Sequence, residues 1–145
     1  MTSYTIEVEG STINLSPIGF RKWAADYFQA FKALPSEEGF SAVPFFICCR
    51  SIELAMKARH LESKSHKDVK RLYSHDLVRS YEGLDAEQRS LSSGEAALLK
   101  AANEIYVQKA FEYFNVLDAV SGYTNYPDLN QLAALAEKLC ERQQA

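Results

Sequence analysis

The sequence predicts an all-α protein, a compact five-helix up-and-down bundle preceded by a short N-terminal extended arm or hairpin. Apolar side chains recur at helical spacing in several long segments, prolines mark where three of these segments begin (Pro17, Pro44 and Pro127), and strand-like alternation is confined to the first residues. The 145 residues suffice for one core, so 1–145 is assigned as a single domain, with 1–16 as the arm or hairpin and 17–145 as the helical bundle.

The composition is that of a globular protein, with 47% apolar and 24% charged residues, which excludes a disordered chain. No apolar run approaches the roughly 18 residues needed to span a bilayer, and the N-terminus lacks the basic and apolar regions of a secretory signal. The cysteines number three, and Cys48 and Cys49 are adjacent within a predicted helix, so we expect reduced, buried thiols. Together these features predict a cytoplasmic protein without membrane contact.

The first elements are the arm and one amphipathic helix. Residues 3–15 alternate between polar and apolar side chains around Glu9-Gly10, which predicts two short strands or an extended arm. Ser16-Pro17 combines a capping side chain with proline at the first helical position, and Pro35 ends the helix. Its aromatic stripe is interpreted as core rather than as a ligand platform. The stripe contains Phe20, Trp23, Ala24, Tyr27, Phe28 and Phe31.

The segment from Val43 to Leu61 is the predicted centre of the bundle. Its apolar residues cover more than half of the helix circumference, which is typical of a helix packed from several sides. A narrow arc carries Arg50, Glu53, Lys57 and His60. Glu53 precedes Lys57 by four residues, the favourable orientation for an ion pair. Two interpretations remain open, a salt-bridged face and a binding site.

The remaining elements are less regular. Residues 62–68 are polar and aperiodic, which predicts a loop, and a short helix is expected from Ser74 to Gly83. The capping-box spacing at Ser92 predicts a long helix from 94 to about 119. A last helix is expected to begin at Pro127.

Lys109 falls in the middle of the apolar face of that long helix. An unpaired ammonium is unfavourable on a buried face. We therefore predict that Lys109 meets Glu53, directly or through a tyrosine hydroxyl.

A basic segment lies within this acidic protein, whose net charge is −3. Residues 57–79 hold seven Lys or Arg against three acids, so this segment carries +4. A local basic segment favours a specific anionic contact over bulk affinity for nucleic acid. A solvated loop that happens to carry lysines is the competing interpretation.

Several classes of chemistry lack their sequence signals. Neither Cys-x2-Cys nor His-x3-His spacing occurs, and there is no serine nucleophile elbow and no phosphate-binding glycine loop. No metal and no cofactor are therefore predicted. His75-Asp76 has two interpretations: a helix cap with a packed imidazole, or an imidazole beside a carboxylate that faces Glu53 or Lys57 for acid–base or phosphate contacts.

The order of these motifs resembles that of the HEPN-type helical domains of prokaryotes. One helix carries the sequence Ser51-Ile-Glu-Leu-Ala-Met-Lys-Ala, and a polar loop separates it from Tyr73-Ser-His-Asp-Leu. A long helix and a final one follow, and the resemblance covers roughly residues 17–140. The resemblance implies RNA cleavage, or RNA or nucleotide binding without cleavage. In nuclease members the long helix carries an Arg that is followed, after four to six residues, by a His. This chain has neither Arg nor His between 94 and 119. By resemblance the shared polar cluster is Glu53, Lys57, His75 and Asp76.

The predicted function is that of a non-catalytic, homodimeric binding or regulatory module. Its expected ligand is an RNA or nucleotide phosphate, or else a partner protein encoded by a neighbouring gene of a toxin–antitoxin or defence system. The alternatives are a ribonuclease that uses non-standard residues such as His75, Lys109 and Tyr106, and a helical protein–protein adaptor. The candidate ligand-binding residues are Arg50, Glu53, Lys57, His75, Asp76, Tyr106, Lys109 and Tyr113.

Overall fold

A computed structural model of the protein describes residues 5–8, 11–35, 39–113 and 116–141. The predicted all-α class is confirmed, although the described residues contain seven α-helices rather than five. The helices are α1 (Pro17–Ala33), α2 (Val43–His60), α3 (His66–Tyr73), α4 (Leu77–Glu82), α5 (Ser93–Tyr106), α6 (Val116–Val120) and α7 (Leu129–Glu141), with a 3₁₀ turn over Ala86–Gln88. None of these helices is long and apolar enough to cross a membrane.

The N-terminal segment is a hairpin, the first of the two alternatives that the alternation predicts. β1 (Thr5–Val8) pairs antiparallel with β2 (Ser11–Asn14), and Thr5 lies opposite Asn14. The predicted connection at Glu9-Gly10 lies outside the described residues. β2 also contacts α1, which ties the hairpin to the helices.

The helix predicted as the centre of the bundle occupies that position. α2 packs against α1, α4, α5 and α7, and Ile52, Ala55 and Met56 are fully buried. A helix with apolar residues on most of its circumference buries them only when neighbours surround it, so the prediction from periodicity is confirmed. Three of the four residues of the polar arc of α2, Glu53, Lys57 and His60, are buried as well, and Arg50 is half-buried.

The predicted caps explain where two helices begin. The Ser16 hydroxyl accepts the Gly19 N–H at 3.2 Å. At α5 the Ser92 hydroxyl accepts the Glu95 N–H at 3.1 Å, while the Glu95 carboxylate accepts the Ser92 N–H at 2.9 Å. These side chains satisfy backbone donors that have no partner inside the helix. The capping-box prediction is therefore confirmed.

One helix was missed, and a neighbouring boundary was misplaced. Within the predicted loop, Ser65 accepts the Asp68 N–H at 3.1 Å and caps α3. α3 buries only Val69 and Tyr73, too few apolar residues to make its period visible in a polar segment. The next helix begins at Leu77 rather than at Ser74, because the Asp76 carboxylate caps it.

The long helix predicted from 94 to about 119 is wrong, because α5 ends at Tyr106. The Lys109 N–H donates to the Tyr106 carbonyl at 3.0 Å, and the Ala110 N–H donates to the Ile105 carbonyl at 3.1 Å. These two bonds define a Schellman motif, with Lys109 in the left-handed conformation at φ +59°. Glycine usually occupies that position, so the sequence carries no stop signal here.

The early end of α5 overturns the prediction for Lys109. Lys109 is exposed on the turn that follows α5, so it does not lie on a buried helix face, and the structure shows no bond from it to Glu53. The last helix also differs slightly from its prediction. It begins at Leu129, two residues after Pro127, because the Asp128 carboxylate accepts the Gln131 N–H at 2.9 Å.

All three cysteines are free, as expected. Cys48 and Cys49 are buried in α2, and Cys140 is half-buried in α7. Burial raises the pKa of the Cys48 thiol to about 12, and it raises the pKa of Cys49 as well. These thiols remain protonated at neutral pH and are therefore poor nucleophiles.

Candidate functional site

A buried carboxylate is the centre of the candidate site. Glu53 of α2 is 1% exposed and accepts four hydrogen bonds. Oε2 accepts from Arg50 Nη1 at 2.8 Å and from Lys57 Nζ at 2.9 Å. Oε1 accepts from the Tyr106 hydroxyl at 2.7 Å and lies 3.0 Å from His75 Nδ1. Three segments distant in sequence therefore meet at one carboxylate.

These contacts decide the charge of Glu53. Burial alone would raise its pKa, but the Lys57 ammonium, the Tyr106 hydroxyl and the Arg50 guanidinium together outweigh burial and hold the pKa below its usual range. Glu53 is therefore ionised at neutral pH. Burial and the adjacent carboxylate raise the pKa of Tyr106, so its hydroxyl stays protonated and acts as a donor.

His75 is oriented by Glu53 and faces outward. Its side chain is 60% exposed, and an ionised carboxylate only accepts hydrogen bonds, so Nδ1 carries the proton in this pair. In the neutral imidazole Nε2 is then the basic nitrogen. Ser74, at φ +46°, makes the tight turn between α3 and α4 that brings His75 over α2. Of the two interpretations left open for His75-Asp76, the one in which the imidazole faces Glu53 or Lys57 agrees with this contact to Glu53.

Asp76, the second residue of the His75-Asp76 motif, has a structural role. Its Oδ1 accepts the Arg79 N–H and also accepts from Asn103 Nδ2, each at 3.0 Å. The Asn103 Oδ1 in turn accepts the Leu77 N–H at 2.8 Å. Asn103 was not predicted as a site residue. The signal available in the sequence was an amide side chain on the apolar face of a helix, three residues before Tyr106.

Two adjoining cavities open above this cluster. The larger is about 690 Å³ and the smaller about 350 Å³. Arg50, Ser74 and His75 line both and so form their common wall. The other residues that line the larger cavity include Phe46, Asp76, Arg79, Tyr106, Lys109 and Glu112. The other residues that line the smaller cavity include Phe20, Trp23, Glu53, Lys57, His66 and Lys70.

The charges around the two cavities are mainly positive. Five Lys or Arg residues line them against three carboxylates, and one of those carboxylates, Glu53, is already paired with Arg50 and Lys57. Arg79 and Lys109 lie on different elements, yet both border the larger cavity. Arg79 was predicted only as part of the basic segment. The arrangement suits an anionic ligand.

Most of the predicted site residues are brought together. Arg50, Glu53, Lys57, His75 and Tyr106 form the buried cluster and its rim, and Asp76 and Lys109 line the larger cavity. Two polar residues singled out in the sequence lie elsewhere. Tyr113 is 67% exposed and is absent from the residues that line either cavity. His60 is buried, stacks on Tyr73 at 4.1 Å, and bonds the Ser80 carbonyl at 2.7 Å, which makes its role structural.

Among the described residues there is no group of three or more His, Cys, Asp or Glu side chains that could hold a metal ion. The chain matches no protein-family model, no curated protein and no solved structure. Its function is therefore inferred from the geometry of the site itself.

Proposed function

We propose that this protein is a non-catalytic, HEPN-like binding or regulatory module that holds the phosphate of an RNA or a nucleotide in the larger cavity. The order of elements supports the HEPN-like interpretation of the bundle, since α2 carries Glu53 and Lys57, the α3–α4 turn carries His75, and two longer helices follow. A toxin–antitoxin or defence system is the expected biological setting, and it would supply any partner protein.

One observation carries the proposal. Arg50 on α2, Arg79 on α4 and Lys109 after α5 border one cavity together with the outward-facing His75. The nearest buried carboxylate, Glu53, already has its bonds filled by the protein. Guanidinium and ammonium groups that converge from separate elements are the usual partners of phosphate oxygens. A single-stranded RNA or a nucleotide fits this chemistry.

Removing either peripheral cation is expected to weaken binding of single-stranded RNA by about tenfold or more, the effect of a lost hydrogen bond to a charged group of about 1.5–3 kcal/mol. The variants are Arg79→Ala and Lys109→Gln. Each should also reduce the slope of log K against log salt concentration by about one, the amount expected for one lost phosphate contact. Fluorescence anisotropy of a labelled RNA between 50 and 200 mM salt measures both quantities.

The matched control is Lys22→Ala, because Lys22 is exposed on α1, pairs with Asp26, and lines neither cavity. It should bind RNA as the wild type does. Absence of binding by the wild type would contradict the proposal, as would equal weakening in all three variants. Capture of a protein partner that salt does not weaken would instead favour the helical adaptor.

A ribonuclease is the second candidate. One observation favours it: the Glu53–His75 pair presents an imidazole nitrogen to the same cavity that Lys109 lines. A carboxylate that orients a histidine in this way is a common arrangement for a general base.

We also propose that the module is a two-fold homodimer. Val116 and Val120, one turn apart on α6, are 60% and 80% exposed, and exposed apolar surface of this kind favours association with a second copy. Light scattering at micromolar concentration is expected to give about twice the chain mass of 16.3 kDa. A measured mass equal to that of one chain would contradict the dimer.

A further inference from the structure

Trp23 departs from its predicted place in the core. It lies near the middle of α1, and its neighbours Phe20 and Ala24 on the same stripe are buried, whereas Trp23 is 39% exposed. The indole packs edge-on against Phe20, with ring centroids 5.6 Å apart, and lies 6.4 Å from the ring of Tyr27. These contacts hold the indole in place while part of it stays accessible.

Trp23 borders the cavity of about 350 Å³, whose lining includes the cations Arg50, Lys57 and Lys70. The other lining residues are Phe20, Glu53, Leu54, His66, Val69, Ser74 and His75. This volume is at the lower end of the range for small-ligand pockets, about 300–1,000 Å³, and suits a single flat ring system. A single exposed apolar side chain needs no explanation, but an aromatic ring among cations is the composition of single-stranded nucleic-acid sites.

Arg50 connects this cavity to the phosphate cavity. Its guanidinium lies 5.5 Å from the ring centroid of Trp23 and 5.9 Å from that of Tyr27, and it is also bonded to Glu53. Arg50 and His75 line both cavities. One ligand can therefore extend from one cavity into the other past these two side chains. The aromatic and ionic contacts together fix the guanidinium at the boundary.

We infer that the smaller cavity is a nucleobase subsite in which a base stacks on Trp23 while its phosphate lies across Arg50 and His75 in the larger cavity. The inference rests on the proposed phosphate site. It specifies the ligand of that site as a nucleotide unit of single-stranded RNA. Stacking uses the π face that every base offers. The subsite therefore binds all four bases with little discrimination.

The experiment uses the fluorescence of Trp23, the one tryptophan in the sequence. The two probes are a hexa-adenylate RNA and an abasic RNA hexamer with the same number of phosphates. Hexa-adenylate is expected to quench the indole emission and to bind about 5- to 150-fold more tightly than the abasic hexamer, the range for one base–aromatic stack. The abasic hexamer should bind through its phosphates and leave the emission nearly unchanged.

Two substitutions separate stacking from simple packing. Trp23→Leu keeps an apolar side chain but removes the aromatic face, so it should bind hexa-adenylate no more tightly than the abasic hexamer, measured by anisotropy of labelled RNA. Trp23→Phe keeps an aromatic face and should retain part of the preference for the RNA with bases. Circular dichroism checks that both variants are folded.

The outcomes distinguish this inference from the proposed function. If both hexamers bind equally and the emission does not change, the base subsite is wrong while the phosphate site stands. If neither hexamer binds, the proposed function fails and the subsite fails with it. A preference for hexa-adenylate that Trp23→Leu retains would also overturn the subsite.

Discussion

Replacing Glu53 with leucine is expected to lower the free energy of unfolding by about 3–5 kcal/mol, because it removes one side of a buried ionic cluster. Lys57 is 9% exposed, so its ammonium would lose the carboxylate 2.9 Å away and would keep only the limited contact with water that the smaller cavity allows. Arg50 and Tyr106 would lose their bonds to the same carboxylate. Urea denaturation followed by circular dichroism measures the change.

Two comparisons test the physical cause. The double substitution Glu53→Leu with Lys57→Met removes both charges and should recover much of the lost stability. Asp26→Leu breaks the exposed i, i+4 pair with Lys22 and should change stability by no more than about 1 kcal/mol. Equal stabilities for wild type and Glu53→Leu would contradict the account of the cluster.

The free energy of unfolding at acid pH provides a second test of the Glu53 cluster. The folded-state pKa of Glu53 is depressed, so its contribution is fully present above the pKa of glutamate in the unfolded chain, about 4.3, and is lost as pH falls through the folded pKa. Between these two values the unfolded state binds one more proton. The wild-type free energy of unfolding should therefore fall more steeply with decreasing pH than that of Glu53→Gln, by up to about 1.4 kcal/mol per pH unit.

RNA bound by this protein is expected to remain intact in the absence of metal. Cleavage through the 2′-hydroxyl needs a base, a group that protonates the leaving oxygen, and a cation for the charged phosphorane. Among the described residues that line the larger cavity, His75 is the one histidine, and the Tyr106 hydroxyl is bonded to Glu53. General acid–base groups typically contribute about 10²–10⁴-fold each, so the absence of a second group should leave turnover undetectable.

The measurement is incubation with mixed-sequence single-stranded RNA in EDTA, analysed by gel electrophoresis. His75→Ala and Lys22→Ala, purified in the same way, serve as a pair. Lys22 is exposed, pairs with Asp26 and lines neither cavity. Cleavage by the wild type and by Lys22→Ala that His75→Ala lacks would overturn the expectation and favour the ribonuclease.

Most of the candidate site could be predicted from the sequence because its parts are local. Arg50, Glu53 and Lys57 are spaced i, i+3 and i+7 on one helix, so they share a face whatever surrounds them. The adjacent imidazole and carboxylate of His75-Asp76 were also visible in the sequence, and the structure brings His75 to Glu53. The bond from Tyr106 to Glu53 spans 53 positions in the chain, and no local pattern specifies such a contact.

The helical class, the caps at Ser16 and Ser92, and the central place of α2 follow from local patterns in the sequence, because periodicity and capping act within a few residues. The end of α5 has no such local signal, because Lys109 holds a left-handed conformation that glycine usually marks. The packing of separate helices also places Trp23 beside the smaller cavity and brings Arg79 and Lys109 to the border of the larger one. These features arise where separate helices pack together, and the pattern along any one helix does not encode them.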